Sequence, residues 1–223
     1  MAIAATFTEE SDPFCLSPTQ AAASLAGAPW RRFGVIGDSL SAGTGDASPG
    51  YRNAGWAERV ADALRTSRSD LAYLNTAVVG ATTIETIEGQ LEQMLAFDPD
   101  LLHLPCGAND LLRRAPDFTE IERMLRQLYA AAAATGAQLT TFTLGKAYVV
   151  PIFPDWTDRV RRLNDLTQTL AAEHGAVVVD MWPHPINERG NLLSLDRVHF
   201  STSGQAVMAA EVVKGLARRL GRA

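Results

Sequence analysis

Ser39 sits in the stretch Phe33–Gly45, FGVIGDSLSAGTG, where residue type and setting favour chemistry. An apolar run, Phe33–Ile36, ends at Gly37, and Asp38, Ser39 and small, glycine-rich residues follow. A buried strand that delivers one hydroxyl to the rim of a sheet reads this way, and Gly37 permits a sharp exit or a close backbone approach. A serine hydroxyl becomes a useful nucleophile once a base takes its proton. The oxyanion formed when it attacks a carbonyl needs fixed hydrogen-bond donors. Histidine can accept and return a proton near neutral pH, and a carboxylate can fix its tautomer. Three later stretches hold residues of these kinds: Gly80 in Val78-Val79-Gly80-Ala81, Asn109 in Gly107-Ala108-Asn109-Asp110, and the pair in Asp196-Arg197-Val198-His199. An Asp three residues before a His reaches it within one turn of loop or helix.

The elements that must position these residues follow from hydrophobic patterning. Strands are expected at 32–37, 71–77, 101–106, 138–144 and 176–180, mostly as continuous apolar runs. Helices are expected between them. Trp56, Val60 and Leu64 are spaced i, i+4, i+8, and Ile84, Ile87, Leu91, Met94 and Leu95 mark the next helix. Helices over 118–134, 158–174 and 201–220 follow, the first two closed by Gly136 and Gly175. Five alternations of strand and helix predict an α/β fold: a three-layer α/β/α sandwich around a five-stranded parallel sheet, in the flavodoxin-like order 2-1-3-4-5. In such sheets the site lies beyond the carboxyl ends of the strands, where Ser39, Gly80 and Asn109 would converge.

Residues 1–30 read as an N-terminal extension, loose over 1–16. A short helix follows, signalled by Ser17 as N-cap, Pro18, and Gln20 at the capping-box position. It is either a flap over the site or a packed extension. No linker or repeat divides 31–223, so this part is expected to be one domain.

Composition narrows the function classes. The chain has 223 residues and a formal net charge of −5, with no basic run, so nucleic acid is not an expected partner. No apolar run approaches a membrane span. Cys15 and Cys106 cannot form a disulfide framework, and no convincing signal peptide opens the sequence, so a cytoplasmic setting is expected. There is no G-x-S-x-G elbow, no G-x-G-x-x-G after the first strand, no P-loop, no H-E-x-x-H and no paired C-x-x-C. Neither a cofactor nor a metal is therefore expected.

Taken together, Gly37-Asp38-Ser39-Leu40, Gly80, the G-x-N-D motif at 107–110 and the D-x-x-H pair before the last helix resemble the SGNH hydrolase superfamily, the GDSL esterases and lipases. The resemblance covers residues 32–218. It implies a carboxylic ester hydrolase in which Ser39 is the nucleophile, His199 the general base and Asp196 its orienter. The backbone N–H groups of Ser39 and Gly80 and the side-chain amide of Asn109 would form the oxyanion hole. Two rival readings keep the same fold: an acyltransferase with a non-water acceptor, and a non-catalytic binding module.

The remaining candidates have quieter expectations. Asp38 is expected to hold the loop of its motif, and Asp110 to act as a structural neighbour or helix cap. His103 reads as a hydrogen-bonded core histidine, His174 as a helix C-terminal residue, and His184 as a loop residue with no clear partner. The apolar loop over 145–156 is either core packing or a substrate wall, with Tyr148, Val149, Phe153 and Trp156 as the wall. A small or hydrophobic, intracellular ester is the expected substrate.

Overall fold

The computed structural model describes residues 7–105 and 107–222. Cys106 therefore lies outside the described residues, as do the first six residues of the expected extension. In chain order the elements are α1 (Pro18–Ser24), β1 (Arg32–Val35), α2 (Ser39–Ala42), α3 (Trp56–Ser67), β2 (Ala72–Asn75), α4 (Thr83–Phe97) and β3 (Leu101–His103). A 3-10 turn at Ala108–Leu112 leads to α5 (Phe118–Ala133), β4 (Gln138–Phe142), α6 (Trp156–Glu173) and β5 (Val177–Val179). A second 3-10 turn, Pro185–Glu188, precedes α7 (Thr202–Arg219).

The five strands form one parallel sheet in the order β2-β1-β3-β4-β5, the order the sequence predicts. In register, Phe33 of β1 lies beside Tyr73 of β2 and Leu101 of β3. Helices α1, α3 and α7 pack together, and α4, α5 and α6 form the second helical layer. The apolar runs explain the core. Val35, Leu101, Leu102 and Leu139 are buried in the sheet, and Trp56, Leu125, Leu163 and Leu216 cover it from the helices.

The strands are shorter than the apolar runs. β3 stops at His103, because Pro105 has no N–H for the ladder, although Leu104 still donates to Thr140 O at 2.9 Å. α6 starts at Trp156, earlier than the expected 158, and its buried indole donates to Tyr148 O at 2.8 Å. The capping box at Ser17 and Gln20 is present in both directions. α1 packs on α3 and α7, on a helical face of the sheet.

Over residues 7–16 the loose reading needs correcting. The segment is built of turns yet tightly tethered. Asp12 is buried, accepts from Tyr51 at 2.8 Å, and pairs with both terminal nitrogens of Arg189 at 2.6 and 2.9 Å. Burial opposes its charge, but Arg189, the Phe14 N–H and Tyr51 outweigh that and hold the carboxyl below its ordinary range. A bidentate Arg–carboxylate pair between distant segments leaves no periodic trace in a sequence.

Candidate active site

The Ser39 segment is held by contacts distant in sequence. After β1 the chain passes Gly37, whose φ is +138°. A Cβ there would lie 2.5 Å from Ser41 Oγ and 2.9 Å from Pro105 Cβ, so only glycine fits. Gln90 of α4 grips the Gly37 peptide on both sides. Its Oε1 accepts from Gly37 N at 2.8 Å, and its Nε2 donates to Gly37 O at 2.7 Å. Gly37 O also accepts from Val78 N at 3.0 Å, tying this turn to the loop that carries Gly80. Asp38 then caps α2, accepting from Leu40 N at 2.9 Å. Burial pushes its carboxyl up from 3.8 to about 6 against the hydrogen bonds of Leu40 and Ser41. Ser39 is the first residue of α2, so its N–H belongs to the amides that a helix start leaves open.

The His199 segment is built locally. Asp196 Oδ1 accepts from Val198 N at 2.8 Å and His199 N at 3.0 Å. Its Oδ2 lies 2.6 Å from His199 Nδ1, and His199 Nε2 lies 2.7 Å from Ser39 Oγ. Burial opposes ionisation of Asp196. The bonds from the His199 ring and from the backbone of His199 and Val198 outweigh it and keep the carboxyl below its ordinary range. Arg197 adopts φ +58°, the tight bend that lets Asp196 fold back on His199. Asp46 fastens this loop to the chain that leaves α2. Its N–H donates to Ser194 Oγ at 2.7 Å, its Oδ2 accepts from Leu195 N at 2.9 Å, and its carbonyl accepts from Thr202 N at 2.8 Å.

The expected oxyanion donors come from two more loops. Gly80 has φ +82°, no packed atom lies within 4 Å of where a Cβ would sit, and its N–H has no acceptor among the described residues. Asn109 follows Gly107 into the first 3-10 turn. Its Nδ2 donates to Ala81 O at 3.0 Å and lies 3.5 Å from Asp38 Oδ2, so it bridges the β2 and β1 exits. Asp110 accepts from Thr83 N at 2.9 Å and Thr83 Oγ1 at 2.8 Å, anchoring the start of α4.

The structure brings Ser39, Asp196 and His199 into one hydrogen-bonded line, with the Gly80 and Asn109 loops at the same sheet edge. The four wall candidates separate. Tyr148 joins Leu40, Leu144, Met181, Val198 and Phe200 around an apolar crevice of only about 10 Å³. Val149 is exposed. Phe153 stacks on Trp156 at 6.0 Å under the Arg159 guanidinium, and Trp156 is core. His103 donates to or accepts from Thr140 Oγ1 at 3.0 Å, and burial drives its pKa down to about 3. His174 caps α6. For His184 the expectation of no clear partner is corrected: its Nδ1 accepts from Ile186 N at 3.1 Å, and Nε2 lies 3.6 Å from Glu211. Sequence reasoning missed Gln90 and Asp46. Neither carries a motif, and only their burial or long-range bonds reveal them.

A family model for the GDSL-like lipase/acylhydrolase family matches residues 35–207. The chain belongs to this family. It is therefore an SGNH-type carboxylic ester hydrolase. No curated protein matches it in sequence. Among solved structures it is similar to the α/β hydrolase LAE5 from the metagenome of Lake Arreo, Spain, at 21% identity and TM-score 0.68, over 85% of this chain and 95% of that one. It is also similar to the acetylxylan esterase Axe2 of Geobacillus stearothermophilus, at 21% identity and TM-score 0.67, over 86% and 94%. A third is the psychrotrophic esterase EstA of Pseudoalteromonas sp., at 18% identity and TM-score 0.65, over 86% and 100%. At these identities the likeness speaks for the SGNH fold.

Proposed function

We propose that this family member cleaves carboxylic esters through an acyl-enzyme on Ser39. The observation that carries the reading is the line Asp196–His199–Ser39, with separations of 2.6 and 2.7 Å. His199 Nε2 takes the Ser39 proton as Oγ bonds to the ester carbonyl carbon. The carbonyl electrons move to oxygen, and the N–H groups of Ser39 and Gly80 receive that charge together with the Asn109 amide, whose hydrogen facing Asp38 Oδ2 at 3.5 Å turns to the oxyanion. His199 returns the proton to the alkoxide, which leaves as the alcohol. Water then attacks the acyl-enzyme, again giving its proton to His199, and Ser39 is regenerated as the acid departs. Asp196, held ionised well into the acid range, keeps the imidazole in the required tautomer and stabilises the imidazolium.

The substrate in this reading is small or hydrophobic. The crevice beside Leu40 barely holds one water, which supports a short acyl group, or a longer one that leaves along the surface. Cys15, a free thiol, supports the reducing, intracellular setting that belongs to the proposal. The test is a chain-length series of p-nitrophenyl esters with native and Ser39→Ala protein, together with a serine-directed phosphonate. Ser39→Ala is expected to lose at least about 10³-fold in kcat/KM, and the phosphonate to label Ser39 alone. Full activity in the variant would sink the proposal.

A further inference from the structure

Seven large hydrophobic side chains are exposed among the described residues: Val78, Val79, Leu95, Leu112, Val149, Ile152 and Leu195. Scattered apolar exposure is ordinary on a folded protein and needs no explanation. This set is not scattered. All but Leu95 lie on the loops that leave the carboxyl ends of β2, β3, β4 and β5, around the edge that carries Ser39. Ile152 is 78% exposed and Leu195 96%, so neither contributes to the core.

Charge in the same loops points to a partner. Arg113, Arg114, Lys146 and Arg197 are exposed there, and none has a carboxylate within ion-pair distance among the described residues. Lys146 lies only over the Trp182 ring, at 5.9 Å. Elsewhere arginines are commonly paired, as Arg52 is with Asp62 and Arg126 with Glu173. The carboxylates of these loops are mostly engaged. Asp110 holds Thr83, Asp117 caps α5, Asp155 pairs with Arg159, Asp180 accepts from Thr143, and Asp196 holds His199. Glu188 alone has no such partner among the described residues. In a chain of net charge −5, four exposed cations without an ion-pair partner thus share these loops with exposed aliphatic side chains, besides those on α6 and α7 such as Arg161, Arg162 and Arg218.

We propose that this edge docks on an anionic lipid–water interface, the aliphatic side chains entering it and the four cations meeting its headgroups. Interfacial binding of this kind grows with buried apolar area and with attraction to anionic lipid, and salt weakens the second part. The inference rests on the reading of this edge as the ester-cleaving face.

The experiment is co-sedimentation of the full chain with vesicles of phosphatidylcholine alone or with phosphatidylglycerol. Hydrolysis of soluble p-nitrophenyl acetate is measured in parallel. Native protein is expected to bind the phosphatidylglycerol vesicles at low salt and to release them in 1 M salt. The double variant Ile152→Asp, Leu112→Asp is expected to bind at least tenfold more weakly, with kcat/KM on the soluble ester within about twofold. Arg113→Glu with Lys146→Glu is expected to remove the preference for the anionic lipid. Native protein that fails to bind, a double aspartate variant that binds like native, or binding indifferent to headgroup charge overturns the proposal. If the soluble ester is cleaved but no vesicle is bound, the docking surface fails while the esterase reading stands. If vesicles are bound but the soluble ester is untouched, the esterase reading fails.

Discussion

Ser39 and His199 meet across 2.7 Å, but the segments that bring them there are made differently. The Ser39 turn is buried and braced by groups far away in sequence: Gln90 on the Gly37 peptide, Val78 on the same carbonyl, Asn109 near Asp38. The His199 loop is half open to solvent. Apart from Asp46, it is shaped by short-range bonds, spanning two or three residues around Asp196 and five where Ser194 N donates to His199 O at 2.8 Å, with Arg197 in a left-handed bend. A buried polar brace is costly to lose, because its partner cannot turn to water. A local, exposed turn is cheap to disturb thermodynamically, yet it aims the base. Damage to the first segment should therefore appear in stability, and damage to the second in rate.

The sharpest separation comes from Asp196→Asn. Asparagine keeps an oxygen for the Val198 and His199 N–H groups but favours the wrong imidazole tautomer. Loss of kcat on the order of 10³–10⁴-fold is expected, with little change in Tm. A large fall in Tm would show that the loop is less locally held than described. Gln90→Leu should do the reverse. It leaves the Gly37 N–H buried without an acceptor, costing about 1–3 kcal/mol in urea unfolding, while kcat falls by roughly tenfold. Unchanged stability would remove the brace from the comparison.

Asp38 gives the buried segment a pH signature. Its folded pKa, about 6, lies above its ordinary 3.8, so the folded chain keeps a proton that the unfolded chain has released. The stability this contributes is present below about pH 4 and is lost as pH rises to about 6. Relative to Asp38→Asn, native protein should thus lose up to ~3 kcal/mol across that window, measured by urea unfolding at several pH values. A gap independent of pH would contradict it. The smallest effect expected is from Arg197→Gly. Relief of the left-handed bend and the greater freedom of the unfolded chain nearly offset, so stability should move by less than about 1 kcal/mol and kcat by less than about threefold. A tenfold fall in kcat would show that the bend itself aims His199.

The same division explains what the sequence could tell. Apolar runs reported the strands of the sheet, because strands buried on both faces must be apolar along their length, while their order was legible only as the flavodoxin-like pattern that such an alternation suggests. Ser39, Asn109 and the Asp196–His199 pair were readable because short motifs carry them, the first two after β1 and β3 and the pair just before α7. Gln90 was not, since it sits on α4 among other polar residues and is singled out only by what it touches. Asp12, Asp46 and His184 were hidden for the same reason: each acts through a partner distant in sequence or through its own local fold. Helix α2 is too short to show periodicity. Trp156 had the apolar character of a wall and turned out to anchor a helix start, a distinction that depends on packing.

The span of 160 residues between Ser39 and His199 also sets an order in time. A ribosome adding about 5–20 residues per second exposes Ser39 roughly 10–30 s before His199 can follow it. Until the Asp196–His199 loop has been made, the Ser39 hydroxyl has no imidazole beside it. On the proposed mechanism, reactivity therefore waits until the Asp196–His199 loop has been made and has folded against the Ser39 turn.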